Sequence, residues 1–143
     1  MARWAERSGV VATEPGEWLA AATESELREA SRSSGVDLAS HSWSHPNLAT
    51  FEEAELQMEL MKPLTWLRER FAAVVPWLAY PYGLMSPTAA GMAKSVGYRG
   101  ALVVDGGWWP RRIDDQFDLP RWNVPAGITS AGFRLRAAGW LCR

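Results

Sequence analysis

The strongest constraint on the fold is a regular alternation between segments with helical signals and segments with strand signals. The apolar spacing and the start and stop residues predict four helices that alternate with four strands. The predicted helices cover about 24–33, 51–71, 87–95 and 130–138, and the predicted strands cover 36–40, 77–80, 98–104 and 119–124. This alternation favours an α/β fold with a mostly parallel sheet, in which ligands bind at the carboxyl ends of the strands.

Particular residues at the helix ends support this pattern. Thr23 and Glu26 are predicted to form a capping box, in which a hydroxyl and a carboxylate three residues apart satisfy free N–H groups at a helix start. Thr50 and Glu53 are predicted to form a second capping box at the start of the next helix. Pro63 lies within the apolar spacing of that helix, and we expect it to kink the helix or split it in two.

Composition and charge narrow the functional classes. The chain has 143 residues, which is enough for one compact domain with a core. Its net charge of -1 argues against a nucleic-acid surface and against a basic patch for anionic lipid. No apolar run approaches the roughly 20 residues of a membrane span. The single cysteine, Cys142, cannot form an internal disulfide.

Both histidines of the chain fall in one short segment directly after the first predicted strand. His41 and His45 belong to the sequence His-Ser-Trp-Ser-His-Pro, and Pro46 disfavours helical geometry at His45. A tight loop at the carboxyl end of a strand can aim both rings at one ion, and imidazole nitrogen is a good ligand for zinc, cobalt or nickel. On spacing alone, two ordinary loop histidines that bind nothing remain the favoured interpretation.

Two further segments adjoin the ends of predicted strands. The segment 80–83, Tyr-Pro-Tyr-Gly, closes a strand with a tight turn, where the backbone N–H of Tyr82 could face a developing oxyanion. In the segment 119–122, Leu-Pro-Arg-Trp, Arg121 could orient a carboxylate through a bidentate pair and Trp122 could wall a sugar pocket. The alternatives are a plain strand-ending turn in the first case, and a surface arginine beside a core tryptophan in the second.

Taken together, the order and spacing of these segments resemble a known family. The chain has H-S-x-x-H-P-x-L after one strand, Y-P-Y-G after the next, and L-P-R-W before a final strand. This pattern resembles the polysaccharide deacetylase family, carbohydrate esterase family four, over about residues 18–125. We therefore predict an irregular segment over 1–17 and a partial deacetylase domain over 18–143.

The resemblance implies an incomplete distorted (β/α) barrel and a hydrolase that removes acetyl groups from N-acetylated or O-acetylated polysaccharide or oligosaccharide. It implies a divalent metal, zinc with cobalt or nickel as alternatives, held by His41 and His45. The backbone N–H of Tyr82 would help to hold the oxyanion, and Arg121 would steady the catalytic base. The substrate would lie against Tyr80, Pro81 and Trp122.

The sequence also departs from the family pattern. The family begins with a strand ending in T-F-D-D-G, which supplies the base and a metal-binding aspartate, and nothing in residues 1–40 matches it. The chain also lacks a third histidine, which in the family protonates the leaving amine. For the missing metal-binding aspartate, Asp105 is the one carboxylate at a strand end that could substitute as a ligand. We therefore expect a truncated and inactive chain. The alternatives are a non-catalytic carbohydrate-binding module of the same fold and a fragment without a stable fold.

Overall fold

The computed structural model describes residues 21–104, 114–125 and 127–140. The predicted irregular segment 1–17 and Asp105 lie outside the described residues. The described helices are α1 (Glu24–Ala30), α2 (Glu53–Arg70), α3 (Pro87–Val96) and α4 (Ser130–Ala137). The strands are β1 (Leu38–Ser40), β2 (Val74–Ala79), β3 (Gly100–Val104) and β4 (Leu119–Arg121), and short 3-10 turns cover Leu48–Thr50 and Pro81–Gly83.

The four strands form one parallel sheet in the order β1-β2-β3-β4. Ser40 is paired with Leu78, and at the other end of the sheet Val104 is paired with Arg121. Parallel neighbours that follow chain order, with α2 and α3 as the first two crossovers, are the arrangement of successive units in a (β/α) barrel. The predicted α/β fold with a parallel sheet is therefore confirmed, its strand order is compatible with an incomplete barrel, and all four strands end at the same edge.

The core lies where α2 packs against α3 and against the first two strands of the sheet. α2 contributes fully buried leucines at helical spacing, and α3 contributes a face of small alanines that lets the two helices approach closely. Tyr98 is also buried, and its hydroxyl donates to the carbonyl of Leu60 at 2.9 Å. The core comprises Leu48, Leu56, Leu60, Leu64, Leu78, Tyr80, Ala89, Ala90, Ala93, Tyr98, Ala101 and Phe117.

The predicted capping box at Thr23 and Glu26 is present, but the one predicted at Thr50 and Glu53 is wrong. Residues 48–50 form a 3-10 turn instead, and the Thr50 hydroxyl donates to the carbonyl of Asn47 within it. A short polar side chain that bonds locally competes with a capping role in this way. The helix start moves two residues along, where Glu52 and Glu55 form the box.

Pro63 does not split the second helix, because α2 continues through it from Glu53 to Arg70. The Pro63 ring is itself buried in the helix face that also carries Leu60 and Leu64. Burial of that ring offsets the one backbone hydrogen bond that proline removes. Among the residues that the structure describes, no helix combines the length and the apolar character that a membrane crossing requires.

Candidate functional site

His41 is the first residue after β1, and its ring is tied to the neighbouring strand. The Nδ1 atom of His41 lies 2.6 Å from the carbonyl oxygen of Ala79, the last residue of β2. A carbonyl oxygen only accepts, so this bond assigns the ring proton to Nδ1. The lone pair of Nε2 is therefore left for another partner, which is the arrangement of a histidine that binds a metal ion.

Three rings meet at this edge of the sheet. The ring centroids of His41 and His45 are 4.8 Å apart in an edge-to-face arrangement, and those of His45 and Tyr82 are 4.9 Å apart in the same geometry. All three side chains are exposed to solvent. The sequence separates Tyr82 from the histidines by nearly forty residues, and the parallel pairing of β1 with β2 brings them together.

The loop between the two histidines has an unusual backbone. Ser42 and His45 both have positive φ angles, 67° and 60°. This region is disfavoured for residues with a side chain, and it recurs where a site holds its backbone under strain. The hydroxyl of Ser42 accepts a hydrogen bond from the N–H of His45 at 3.0 Å, which closes the loop on itself.

The turn after β2 is held by buried side chains. Tyr80 is fully buried, and its hydroxyl donates to the carbonyl of Phe117 at 3.1 Å. Burial, with smaller contributions from Asp115 and Asp118, raises the pKa of Tyr80, so this hydroxyl keeps its proton. Pro81 is buried as well. Both side chains point into the protein, so a contact between them and a substrate stays a prediction.

Tyr82 and Gly83 complete this turn with two positive φ angles, 57° and 69°. A glycine is required at position 83, because a Cβ atom there would overlap the backbone N and the Cβ of Val104 on β3. Tyr82 also has a positive φ angle, and because it carries a side chain this conformation is strained. Its side chain is 62% exposed and lies over His45, which places an aromatic surface beside the histidine pair.

Arg121 and Trp122 lie at the same edge of the sheet, further along it. Arg121 is the last residue of β4, and Trp122 stacks on Phe133 of α4 with ring centroids 5.7 Å apart. Neighbouring strands are about 4.8 Å apart, so the end of β4 is about 10 Å from the end of β2. The structure thus brings His41, His45 and Tyr82 into contact and leaves Arg121 and Trp122 two strands away.

Comparison with known proteins settles the family. The sequence model described as polysaccharide deacetylase matches residues 6–101 of the chain, which include both histidines and the turn 80–83. The chain belongs to the polysaccharide deacetylase family. Position 121 and position 122 lie beyond the matched residues, so the match does not bear on them.

Solved structures of deacetylases share the fold of this family member. The chain is similar to Streptococcus pyogenes deacetylase PplD in complex with acetate, with a TM-score of 0.73 and 16% identity over 84% of this chain. It is similar to BA0330 from Bacillus anthracis, assigned to the polysaccharide deacetylases, with a TM-score of 0.69 and 19% identity over 78% of this chain. It is also similar to a de-N-acetylase from Aggregatibacter actinomycetemcomitans, with a TM-score of 0.64 and 15% identity over 80% of this chain.

These structural similarities establish the fold. The similar region is only part of each solved chain. This chain spans 52%, 35% and 53% of the three solved chains, in the order given above. The activity, the substrate and the partners of a whole family member are therefore matters of proposal for this chain.

Members of this family are generally metal-dependent, and the histidine pair fits part of such a site. Zinc binds imidazole nitrogen at about 2.0–2.1 Å, and two rings that touch edge to face can direct one nitrogen each at a shared ion. Within residues 21–104, 114–125 and 127–140, no three or more His, Cys, Asp or Glu side chains cluster as a metal site. Among the described residues, His41 and His45 are thus the candidate ligands at this edge of the sheet.

One residue of this site was missed from the sequence. Glu59 of α2 accepts hydrogen bonds from the loop that joins the two histidines. Burial raises the pKa of the Glu59 carboxyl, but hydrogen bonds from Ser44 and Trp43 and the charge of Lys62 outweigh it and hold that pKa below its ordinary range. The sequence does not single it out, because Glu55 precedes Leu56 of the same helix in the same way.

Proposed function

We propose that this chain carries the metal-binding and oxyanion-binding side of a deacetylase site for acetylated polysaccharide or oligosaccharide. The observation that supports this most directly is the meeting of His41, His45 and Tyr82 at the carboxyl ends of β1 and β2. Open α/β sheets and barrels bind their ligands at this edge. The family membership of the chain supplies the reaction class, hydrolysis of an acetyl group.

The two histidines would hold a divalent ion, zinc with cobalt or nickel as alternatives, through one imidazole nitrogen each. His41 is suited to this role because the Ala79 carbonyl fixes the proton on Nδ1 and orients the ring. A bound divalent metal would supply Lewis acidity, which polarises a carbonyl group and makes water more acidic. The remaining chemistry depends on residues around the pair.

Tyr82 has two roles in this proposal. Its backbone N–H would donate to the oxyanion that forms when the acetyl carbonyl becomes tetrahedral, and a fixed donor at that position stabilises the developing charge. Its exposed ring would form one wall of a substrate groove, which we place along this edge of the sheet between Tyr82 and Trp122. Tyr80 and Pro81 would act indirectly, since their burial fixes the turn that presents Tyr82.

Arg121 and Trp122 would serve the far side of the groove. A guanidinium at the end of β4 can pair with a carboxylate base and hold it ionised. Trp122 is half-buried and stacks on Phe133, so one part of its ring system is fixed while another faces outward. A rigid indole of this kind suits contact with a sugar ring.

A non-catalytic glycan-binding domain is the second candidate. It is favoured by the finding that, in the part of the chain that the structure describes, no carboxylate joins the histidine pair. Hydrolysis needs a general base within reach of the attacking water, whereas binding of a sugar needs only the groove and its aromatic walls. The two candidates differ in turnover and agree on the ligand.

The metal-binding part of the proposal is tested by titrating the chain with cobalt(II) and following the visible absorption of the ion. We expect one ion per chain, bound weakly because two imidazoles leave half of a tetrahedral shell to water. His41→Ala and His45→Ala should each abolish that binding. Asp37→Ala is the matched control, since it removes an exposed carboxylate close to His41 in sequence. Equal binding by all variants would contradict the site.

The catalytic part is tested with N-acetylglucosamine oligomers, with release of acetate and binding of the sugar measured in parallel. We expect this chain to bind the oligomer without appreciable turnover, because no base has been identified. Turnover that His41→Ala abolishes would contradict this expectation and show that another carboxylate serves as base. Absence of both binding and turnover would count against both candidates.

A further inference from the structure

The loop between the two histidines rests on a single carboxylate. The side chain of Glu59, on α2, is half-buried and lies against the middle of this loop. Its Oε2 atom accepts from the backbone N–H of Trp43 at 3.0 Å and from that of Ser44 at 2.9 Å. Its Oε1 atom accepts from the hydroxyl of Ser44 at 2.6 Å. Both carboxylate oxygens are thus used, and three donors of the loop are satisfied.

These bonds stabilise a backbone that would not hold its shape on propensity alone. The φ angles of Ser42 and His45 are positive. Residues other than glycine keep such a backbone conformation only when surrounding contacts hold them in it. Hydrogen bonds to an ionised acceptor are roughly twice as strong as neutral ones. Lys62, one turn along α2, stacks its ammonium group on the Trp43 ring at 3.9 Å and adds a second tie to the same loop.

Glu59 is also well placed to fix the position of the loop relative to the sheet. It lies on α2 beside Leu56 and Leu60, both fully buried in the core. The other polar contacts of the loop act at its two ends, through the bond from His41 to β2 and the bond between Ser42 and His45. Glu59 therefore ties the centre of the loop to the most firmly packed helix.

We propose that Glu59 is a positioning residue that fixes the loop 41–45 so that His41 and His45 face the same ion. The metal part of this inference rests on the proposed function, whereas the loop part stands on the hydrogen bonds alone. Glu59 does not touch the ion or the substrate in this scheme. It acts through the backbone of Trp43 and Ser44, and a change at position 59 should alter how the imidazoles are presented.

The test uses Glu59→Ala and Glu59→Gln in the whole chain, with two measurements on each. The first is cobalt(II) affinity, and the second is hydrogen exchange at the amides of Trp43 and Ser44 in the absence of metal. Glu55→Ala is the matched control. It removes a carboxylate one turn earlier on α2 and breaks the capping box with Glu52, but it leaves the loop bonds intact.

We expect Glu59→Ala to speed exchange at the two amides and to weaken cobalt binding about 10- to 100-fold, the usual range when a residue that supports a metal ligand is removed. Glu59→Gln should lose less cobalt affinity, because its amide oxygen can still accept hydrogen bonds from the backbone N–H groups of Trp43 and Ser44. Glu55→Ala should leave affinity and loop exchange unchanged, although it weakens the start of α2. If Glu59 only stabilised the loop and did not position the ligands, the two alanine variants would differ in amide exchange but bind cobalt equally well.

Two results would overturn the inference, and a third would affect only the proposed function. Unchanged amide exchange in Glu59→Ala would show that the carboxylate does not hold the loop. Faster exchange with unchanged cobalt affinity would show that the loop does not position the ligands. If the parent chain binds no cobalt and Glu59→Ala still speeds exchange, the proposed metal site fails while the role of Glu59 in the loop stands.

Discussion

The loop 41–45 and the turn 80–83 lie side by side at one edge of the sheet, but the protein holds them in different ways. Polar contacts hold the loop: Glu59 accepts from its centre, and its ends are tied by the His41 and Ser42 bonds. Packing holds the turn: Tyr80 is fully buried, and Gly83 lies against Val104. Both segments carry residues with positive φ.

This difference separates two kinds of sensitivity to mutation. A residue that is anchored by packing shares its contacts with the core, so its loss lowers the free energy of unfolding of the whole chain. A residue that is anchored by exposed polar contacts changes local position with little effect on global stability. We therefore expect substitutions in the turn to lower the free energy of unfolding. Substitutions in the loop should instead change metal affinity and local amide exchange.

The largest effect should come from Tyr80→Ala. Truncation of a buried aromatic residue costs about 3–5 kcal/mol of unfolding free energy, and it also leaves the Phe117 carbonyl without the Tyr80 donor. Tyr80→Phe keeps the ring and removes only that hydrogen bond, so its cost should be about 1 kcal/mol. Urea unfolding of both variants checks this. Similar costs for the two variants would contradict the packing role of the ring.

The second prediction concerns Gly83→Ala, with Gly35→Ala as its matched control. Both glycines have positive φ, 69° and 84°, but only at Gly83 would the new Cβ meet Val104, while at Gly35 it meets nothing within 4 Å. The left-handed conformation alone costs roughly 1–2 kcal/mol, and overpacking adds about 1–3 kcal/mol. Unfolding should show a clearly larger loss at position 83. Equal losses of unfolding free energy at both positions would mean that the turn accommodates the new Cβ atom without added strain.

The alternation of helices and strands was predictable because each element has its own local signals. The mostly parallel sheet followed from those signals, and the capping box of Thr23 was predicted correctly from spacing. The box at Thr50 failed because residues 48–50 form a 3-10 turn, in which the Thr50 hydroxyl donates to the Asn47 carbonyl, and the helix begins only at Glu53. Competition between local hydrogen bonds of similar strength is not visible in a spacing rule.

The site was predictable only in part, for a related reason. His41, His45 and the turn 80–83 were identified as candidates from residue type and resemblance, and the structure brings the two histidines and Tyr82 together. Glu59 was not found, because its role depends on how a helix packs under a loop. Tyr80 was predicted to end a buried strand, and the structure buries its side chain fully just after β2. Its contact with a substrate stays a prediction.

The third prediction uses pH to test the buried tyrosine beneath the site. Burial raises the pKa of Tyr98 to about 12, above the value of about 10 for an exposed tyrosine. The folded state therefore keeps this proton longer than the unfolded chain does. Stability from Tyr98 is complete below about pH 10 and falls by about 2–3 kcal/mol as the pH rises to about 12.

Urea unfolding of the parent and of Tyr98→Phe across this range checks that prediction. The phenylalanine variant lacks the titrating group, so its stability should fall less steeply between about pH 10 and about pH 12. At neutral pH it should lose only the hydrogen bond to the Leu60 carbonyl, about 1 kcal/mol. Parallel profiles for the two proteins would show that Tyr98 does not carry the alkaline loss of stability.

The smallest expected effect lies in the loop and appears at acid pH. Hydrogen bonds from Ser44 and Trp43 outweigh burial and lower the pKa of Glu59, so its contribution is present above the ordinary carboxyl pKa of about 4.3 and is lost as the pH falls through the lowered value. The amide shifts of Trp43 and Ser44, followed by NMR from about pH 6 to about pH 3, should report that step with little change in global unfolding. Glu59→Gln has no such titration, so its amide shifts should stay flat. An acid step of equal size in both proteins would assign the titration to another group. Glu59 would then not be the residue whose ionised form holds the loop.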